Sequence, residues 1–178
     1  NTTASHNTGI GNNALGATTT GDENTAIGSS ALLLNTTGQN NVAIGRQALR
    51  ANTTASNITA VGFNSLLANT TGASNVAVGT NSLLTMTTAS FNIAVGHNAL
   101  RTSNGARNVG VGNDAGRNIT SGIQNIALGD DAMYNVTTGS SNVALGHDAL
   151  FTATTTSNNT AVGVNSLKVA TGSQNTAV

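Results

Sequence analysis

The segment Asn41-Val42-Ala43-Ile44-Gly45-Arg46-Gln47-Ala48-Leu49-Arg50-Ala51-Asn52-Thr53-Thr54-Ala55-Ser56-Asn57 decides the fold. Its glycine recurs at Gly11, Gly28, Gly45, Gly62, Gly79, Gly96, Gly112, Gly129, Gly146 and Gly163. The step is 17 residues throughout, except for 16 between Gly96 and Gly112. A strict short period makes each repeat one structural unit stacked on the next. The expected architecture is all-β: a stacked parallel β-roll or β-solenoid with one 17-residue repeat per coil. Residues 1–178 read as a single repeat domain of about ten coils. The chain begins and ends within a repeat, so the expectation is a fragment of a longer fibrous protein.

Composition narrows the function. Charged residues make up 7% and aromatics 2% of the chain, against about a quarter charged in an average globular domain. Six basic and six acidic residues cancel, leaving no basic stripe for nucleic acid. No apolar run reaches membrane-spanning length, so membrane insertion is not expected in this segment. Cysteine is absent, which excludes disulfide bracing and thiol chemistry. Disorder would suit the Asn, Thr, Ser and Gly content, but a disordered chain has no reason to keep Val, Ile and Leu in register.

Numbering each coil from its glycine at position 0, Asn stands at −4 in nearly every copy (Ile58 is an exception), an aliphatic residue or Thr at −3, a small residue at −2 and a branched aliphatic at −1. This reads as a short strand whose side chains alternate between two faces. The expectation places the −1 residues Ile27, Ile44, Val61, Val78, Val95, Val111, Leu128, Leu145 and Val162 in the core. Opposite them would lie the leucines at +4: Leu32, Leu49, Leu66, Leu83, Leu100, Leu150 and Leu167. The small −2 residues Ala26, Ala43, Ala60, Ala77, Ala94, Gly110, Ala127, Ala144 and Ala161 then fall on the other face, which suits close approach by another chain. That face argues for self-association, with a homotrimer as a closed cyclic solution. The Thr-Thr-Gly and Thr-Thr-Ala segments read as a second short strand running into a turn.

The pentapeptides Asn41-Val-Ala-Ile-Gly45, Asn75-Val-Ala-Val-Gly79 and Asn142-Val-Ala-Leu-Gly146 resemble the head repeats of trimeric autotransporter adhesins. The longer unit, with Asn-Ala-Leu after the glycine and Asn-Thr-Thr-Gly further on, is similar to repeats of bacterial and phage tail-fibre-like proteins. The resemblance covers the whole chain. It implies a left-handed parallel β-roll, three chains, and a place in an extracellular fibre at a cell surface or on a virion. It also implies that a cell-surface glycan or protein receptor is met through a tip outside this segment. No catalytic or receptor-binding residue carries over, because the matched positions are structural.

Little in the chain suggests chemistry. No Ser/His/Asp spacing or cofactor motif stands out, and the chain is not expected to be an enzyme or to hold a cofactor. His97 and His147 share position +1 but lie three coils apart, roughly 14 Å at sheet spacing, too far to ligate one metal. Asp114, Asp131 and Asp148 occupy +2 in consecutive coils and form a candidate cation ladder. Against that stands a solvent-facing polar ladder in which Asp replaces Asn. The aligned threonines Thr19, Thr36, Thr53, Thr70, Thr87, Thr137 and Thr154 raise an alternative function, an ice-binding β-solenoid. Thr-Thr sends two hydroxyls to opposite faces, whereas a flat ice-binding array needs both on one. The leading expectation is therefore a rigid trimeric stalk or head.

Overall fold

A computed structural model describes residues 3–178. Its strands are β1 (Thr8–Ile10), β2 (Thr25–Ile27), β3 (Val42–Ile44), β4 (Thr59–Val61), β5 (Val76–Val78), β6 (Ile93–Val95), β7 (Val109–Val111), β8 (Ile126–Leu128), β9 (Val143–Leu145), β10 (Thr160–Val162) and β11 (Thr176–Ala177). They form one parallel sheet in chain order. Each residue pairs with its counterpart in the next repeat: Val42 with Thr59, Ala43 with Ala60, Ile44 with Val61. The register survives the short step, where Ile93 pairs with Val109 and Ala94 with Gly110. The molecule is a parallel β-solenoid of about ten coils, numbered here with their strands.

Each coil has one short strand, of three residues in β1 to β10 and two in β11, and turns carry the chain round the rest of the circuit. The Thr-Thr segment does not form the expected second strand, although its backbone still bonds from coil to coil, as Thr36 N–H does to the Thr53 carbonyl at 2.8 Å. Tight curvature comes from left-handed backbone. In coil 3, Asn40, Gln47 and Leu49 have φ of 56°, 61° and 52°. The same three positions, −5, +2 and +4, are left-handed in nearly every coil. Asn and Asp tolerate this conformation, which explains their frequency at +2. A leucine there costs roughly 1–2 kcal/mol, which its complete burial offsets. The position-0 glycines are required on two counts, Gly163 on the first alone. Their φ lies between 117° and 137°, and a Cβ on Gly45 would stand 2.5 Å from the Gly62 carbonyl oxygen of the next coil.

The two faces of the strand are reversed from the sequence expectation. Ala26, Ala43, Ala60, Ala77, Ala94, Ala127, Ala144 and Ala161 are 0% exposed within this single chain, and Gly110 is buried with them. They line the inside of the coil and cannot be an interface with another chain. The −1 residues Ile27, Ile44, Val61, Val78, Val95, Val111, Leu128, Leu145 and Val162 point outward and are half-buried or exposed, so they are not the core. The reason is the thinness of the coil. Leucine at +4 and Ala or Ser at +3 come so close to the strand that a Cβ on Gly110 would lie 2.8 Å from Leu100 Cγ and 3.0 Å from the Ala115 carbonyl oxygen. In coil 7 the interior has no room even for a methyl at −2, and in the neighbouring coils the −2 methyl fills it completely. Leu32, Leu49, Leu66, Leu83, Leu100 and Leu150 are fully buried, and Leu167 packs half-buried at the end.

Asparagine completes the interior. At −4 it is 0% exposed in Asn24, Asn41, Asn75, Asn92, Asn108, Asn125, Asn142 and Asn159. The Asn24 side-chain carbonyl accepts from Asn41 N–H of the next coil at 3.0 Å, and its amide donates to the Gly38 carbonyl at 2.9 Å. The same clamp recurs from Asn108 to Asn125 N–H and to the Gly122 carbonyl. One side chain thus satisfies a strand N–H and a turn carbonyl that the thin coil would otherwise bury unpaired.

Candidate functional site

The repeat is uniform over most of its length, so departures from it are where function would be sought. They concentrate on one edge of coils 6 to 10, in the residues after the glycine. Four of the six acidic residues of the chain lie there: Asp114, Asp130, Asp131 and Asp148. Position +1 carries the column His97, Asn113, Asp130 and His147, all exposed. Position +2 carries Asn98, Asp114, Asp131, Asp148 and Asn165. Parallel stacking in register sets these side chains one above another.

The columns are cross-linked. His97 Nδ1 lies 3.1 Å from Asn113 Oδ1, and Asn113 Nδ2 donates to Asp130 Oδ1 at 2.9 Å. His147 sits between carboxylates, with Nε2 3.8 Å from Asp130 Oδ2 and Nδ1 3.6 Å from Asp148 Oδ2. Lys168 Nζ closes on Asp148 Oδ2 at 2.6 Å, and Arg117 approaches Asp114 at 3.4 Å. Asp131 lies between the other carboxylates. Partial burial, then the charges of Asp130, Asp114 and Asp148, hold its carboxyl above the usual carboxylate range, while His147 opposes the shift.

Beside the acidic columns runs a ladder at +5: Arg117, Tyr134, Phe151 and Lys168. Tyr134 and Phe151 stack with ring centres 5.2 Å apart and 9° between planes. Arg117 caps Tyr134 at 5.4 Å and Lys168 caps Phe151 at 5.5 Å. The same two cations therefore end the aromatic stack and neutralise the outermost aspartates. Both ring faces are occupied within the chain, which leaves only their edges toward solvent.

The structure modifies the cation-ladder expectation for Asp114, Asp131 and Asp148. Asp114 and Asp148 are engaged by Arg117 and Lys168. The donors that converge within metal-ligand reach are instead Asp130, Asp131 and His147, whose ligand atoms all lie within 4.8 Å of one another. His97 is not among them. Sequence reading missed this grouping because it compared equal positions in different coils. The relevant neighbours are +1 and +2 of one coil with +1 of the next.

Among the described residues the rod encloses no pocket, so a ligand would meet a surface. The sheet offers one such surface. The outward −1 side chains make a continuous aliphatic stripe, widened at −3 by Val or Ile in coils 3 and 5 to 9 and interrupted there by Thr25, Thr59 and Thr160, with Ile44 37%, Ile93 41%, Val111 38% and Ile126 38% exposed. Set against known proteins, the chain matches no family model, no curated protein and no solved structure.

Proposed function

We propose that this chain is a rigid module of an extracellular fibre, a homotrimeric stalk or head that spaces or presents a binding tip lying outside it. The fibre would stand on a cell surface or a virion, and its tip would meet a glycan or protein receptor. The observation that carries this reading is the aliphatic stripe along the sheet, recurring in every coil from β2 to β10. An outward row of Val, Ile and Leu at −1, joined at −3 by Val or Ile in coils 3 and 5 to 9, is costly in water. Its spacing is set by the coil rise, about 4.8 Å, so another copy of the same chain matches it coil for coil. Packing copies about an axis covers the stripe without leaving an unpaired face, and three is the number the resemblance implies. A left-handed winding belongs to the same proposal. The module would perform no catalysis of its own.

The test is particle mass by sedimentation or light scattering, with three chains per particle expected. Val78→Arg together with Val95→Arg should release folded single chains, because both side chains lie on the outer surface of the coil. A wild-type chain that is folded and monodisperse as a monomer would sink the proposal.

The ice-binding alternative has less support. Thr36, Thr53 and Thr70 each donate their hydroxyl to the next coil's threonine carbonyl, at 3.0, 3.2 and 3.0 Å. These hydroxyls are committed along the rod axis, and one exposed threonine per coil remains, as at Thr37, Thr54 and Thr71. We expect no thermal hysteresis and no faceting of ice crystals at micromolar protein.

A further inference from the structure

We infer that Asn104 is a self-modifying site, which loses its side-chain amide by attack of the Gly105 nitrogen and becomes aspartate or isoaspartate. Asn104-Gly105 is the only Asn-Gly pair in the chain, and it lies in the 16-residue step. Elsewhere the threonine at +8 donates its N–H and hydroxyl to the backbone carbonyl of the next threonine, as Thr53 does to Thr70 at 3.1 and 3.2 Å. In the short coil +8 is Asn104 rather than threonine, and the residue that would follow it is missing. The side chain of Asn104 replaces that carbonyl: Asn104 Oδ1 accepts from Thr87 N–H at 3.0 Å and from Thr87 Oγ1 at 3.3 Å.

That substitution has a chemical consequence. The side-chain amide oxygen faces two donors, and on attack at Cγ this oxygen takes the negative charge. Donors already aimed at a developing oxyanion lower the barrier to its formation. The nucleophile is uncommitted, although Gly105 is buried in the turn. Gly105 N–H donates to no acceptor among the described residues, and glycine brings no Cβ to hinder the approach. Asn104 itself is exposed, so water and hydroxide reach it.

The step balances without a co-reactant beyond water. Gly105 nitrogen gives up its proton and bonds to Asn104 Cγ, and the tetrahedral intermediate collapses by expelling the amide nitrogen as ammonia. The resulting five-membered imide takes up one water. Opening at the side-chain carbonyl gives aspartate. Opening at the main-chain carbonyl gives isoaspartate, which adds a methylene to the backbone of the one coil that lacks a residue. Either product keeps an oxygen in reach of Thr87 and adds a negative charge to an exposed turn.

The experiment is incubation of the folded wild-type protein at mildly alkaline pH, followed by peptide mass mapping. A free peptide spanning Thr102 to Arg107 is incubated in parallel. The expected result is that Asn104 converts first among the asparagines, no more slowly than in the peptide, and faster as pH rises. Thr87→Val, which removes one of the two donors, should slow conversion several-fold in the folded protein and leave the peptide rate as the reference. Retention of the Asn104 amide after the peptide has converted would overturn the inference. So would conversion at the same rate as Asn81, which precedes serine.

Discussion

Coils 2 to 4 and coils 7 to 9 solve the same interior position in opposite ways. At +7 the early coils carry Asn35, Asn52 and Asn69, and the later ones Ile119, Val136 and Ala153. All six are buried. The asparagines form a ladder in which Asn52 Nδ2 donates to Asn35 Oδ1 at 2.8 Å and Asn69 Nδ2 to Asn52 Oδ1 at 3.2 Å. Each amide also donates to its own turn carbonyl at 3.0 Å. The later column simply packs. What matters is uniformity along the column, because a polar group is satisfied by the coil above or below it. The junctions bear this out. Asn69 Oδ1, where the ladder meets Met86, has no partner, and neither has Thr18 Oγ1 at the other end. An amide ladder has ends that go unsatisfied, and an apolar column has none.

The largest effect is expected in the apolar column. Gly116 stands where most coils place leucine, and Leu100 and Ile119 fill the space, since a Cβ on Gly116 would lie 2.6 Å from Leu100 Cδ2 and 3.0 Å from Ile119 Cδ1. Ile119→Ala should therefore cost about 2–5 kcal/mol, read by denaturant unfolding and by lost amide protection in coils 6 to 8. A smaller loss, about 1–3 kcal/mol, is expected for Asn52→Ala, which strips Asn35 Oδ1 and Asn69 Nδ2 of a partner. Asn52→Leu should be no better, because packing cannot repair the two broken ladder bonds. If Asn52→Leu proved as stable as the parent, the argument for column uniformity would fail.

Met86→Asn extends the ladder toward Asn69 Oδ1 while giving up apolar volume. The two effects should nearly cancel, to within about 1 kcal/mol by the size of a net hydrogen bond. A full cavity-sized loss would show that the new amide does not reach Asn69.

The smallest effect belongs to the charged edge. Asp131 has a raised carboxyl pKa in the folded chain, so the folded state binds its proton more readily than the unfolded state. Its contribution to stability is unfavourable at neutral pH and is relieved as pH falls through the raised value toward the ordinary 3.8. Asp131→Asn should slightly raise the neutral-pH midpoint and remove that part of the pH dependence. A lower midpoint would mean that Asp131 is stabilising there.

The parallel stack, its repeat length and its register were legible because the glycine and Asn-x-Ala motifs repeat without interruption. The strand faces were not. Reading large side chains inward presumes an interior wide enough to hold them, and coil width depends on left-handed turns that leucine at +4 does not advertise. Asparagine at +2 was the visible sign of that curvature, and asparagine at −4 of a buried polar clamp, since neither suits an outer strand face better than lysine or glutamate would. The Asp130–Asp131–His147 grouping needed the lateral geometry of neighbouring coils, which a linear period does not contain.

Among the described residues, strand contacts run only between consecutive coils. Tension applied between the ends of one such chain passes through every joint in series, and no second path within the chain shares the load. The breaking force is then that of the weakest joint rather than an average over the length. The short coil 6 is the natural fuse: it lacks a residue, its joint to coil 5 uses a side-chain carbonyl in place of a main-chain one, and coil 7 beside it carries glycine at both Gly110 and Gly116. A fibre containing this module would part there first, leaving the coils on either side intact.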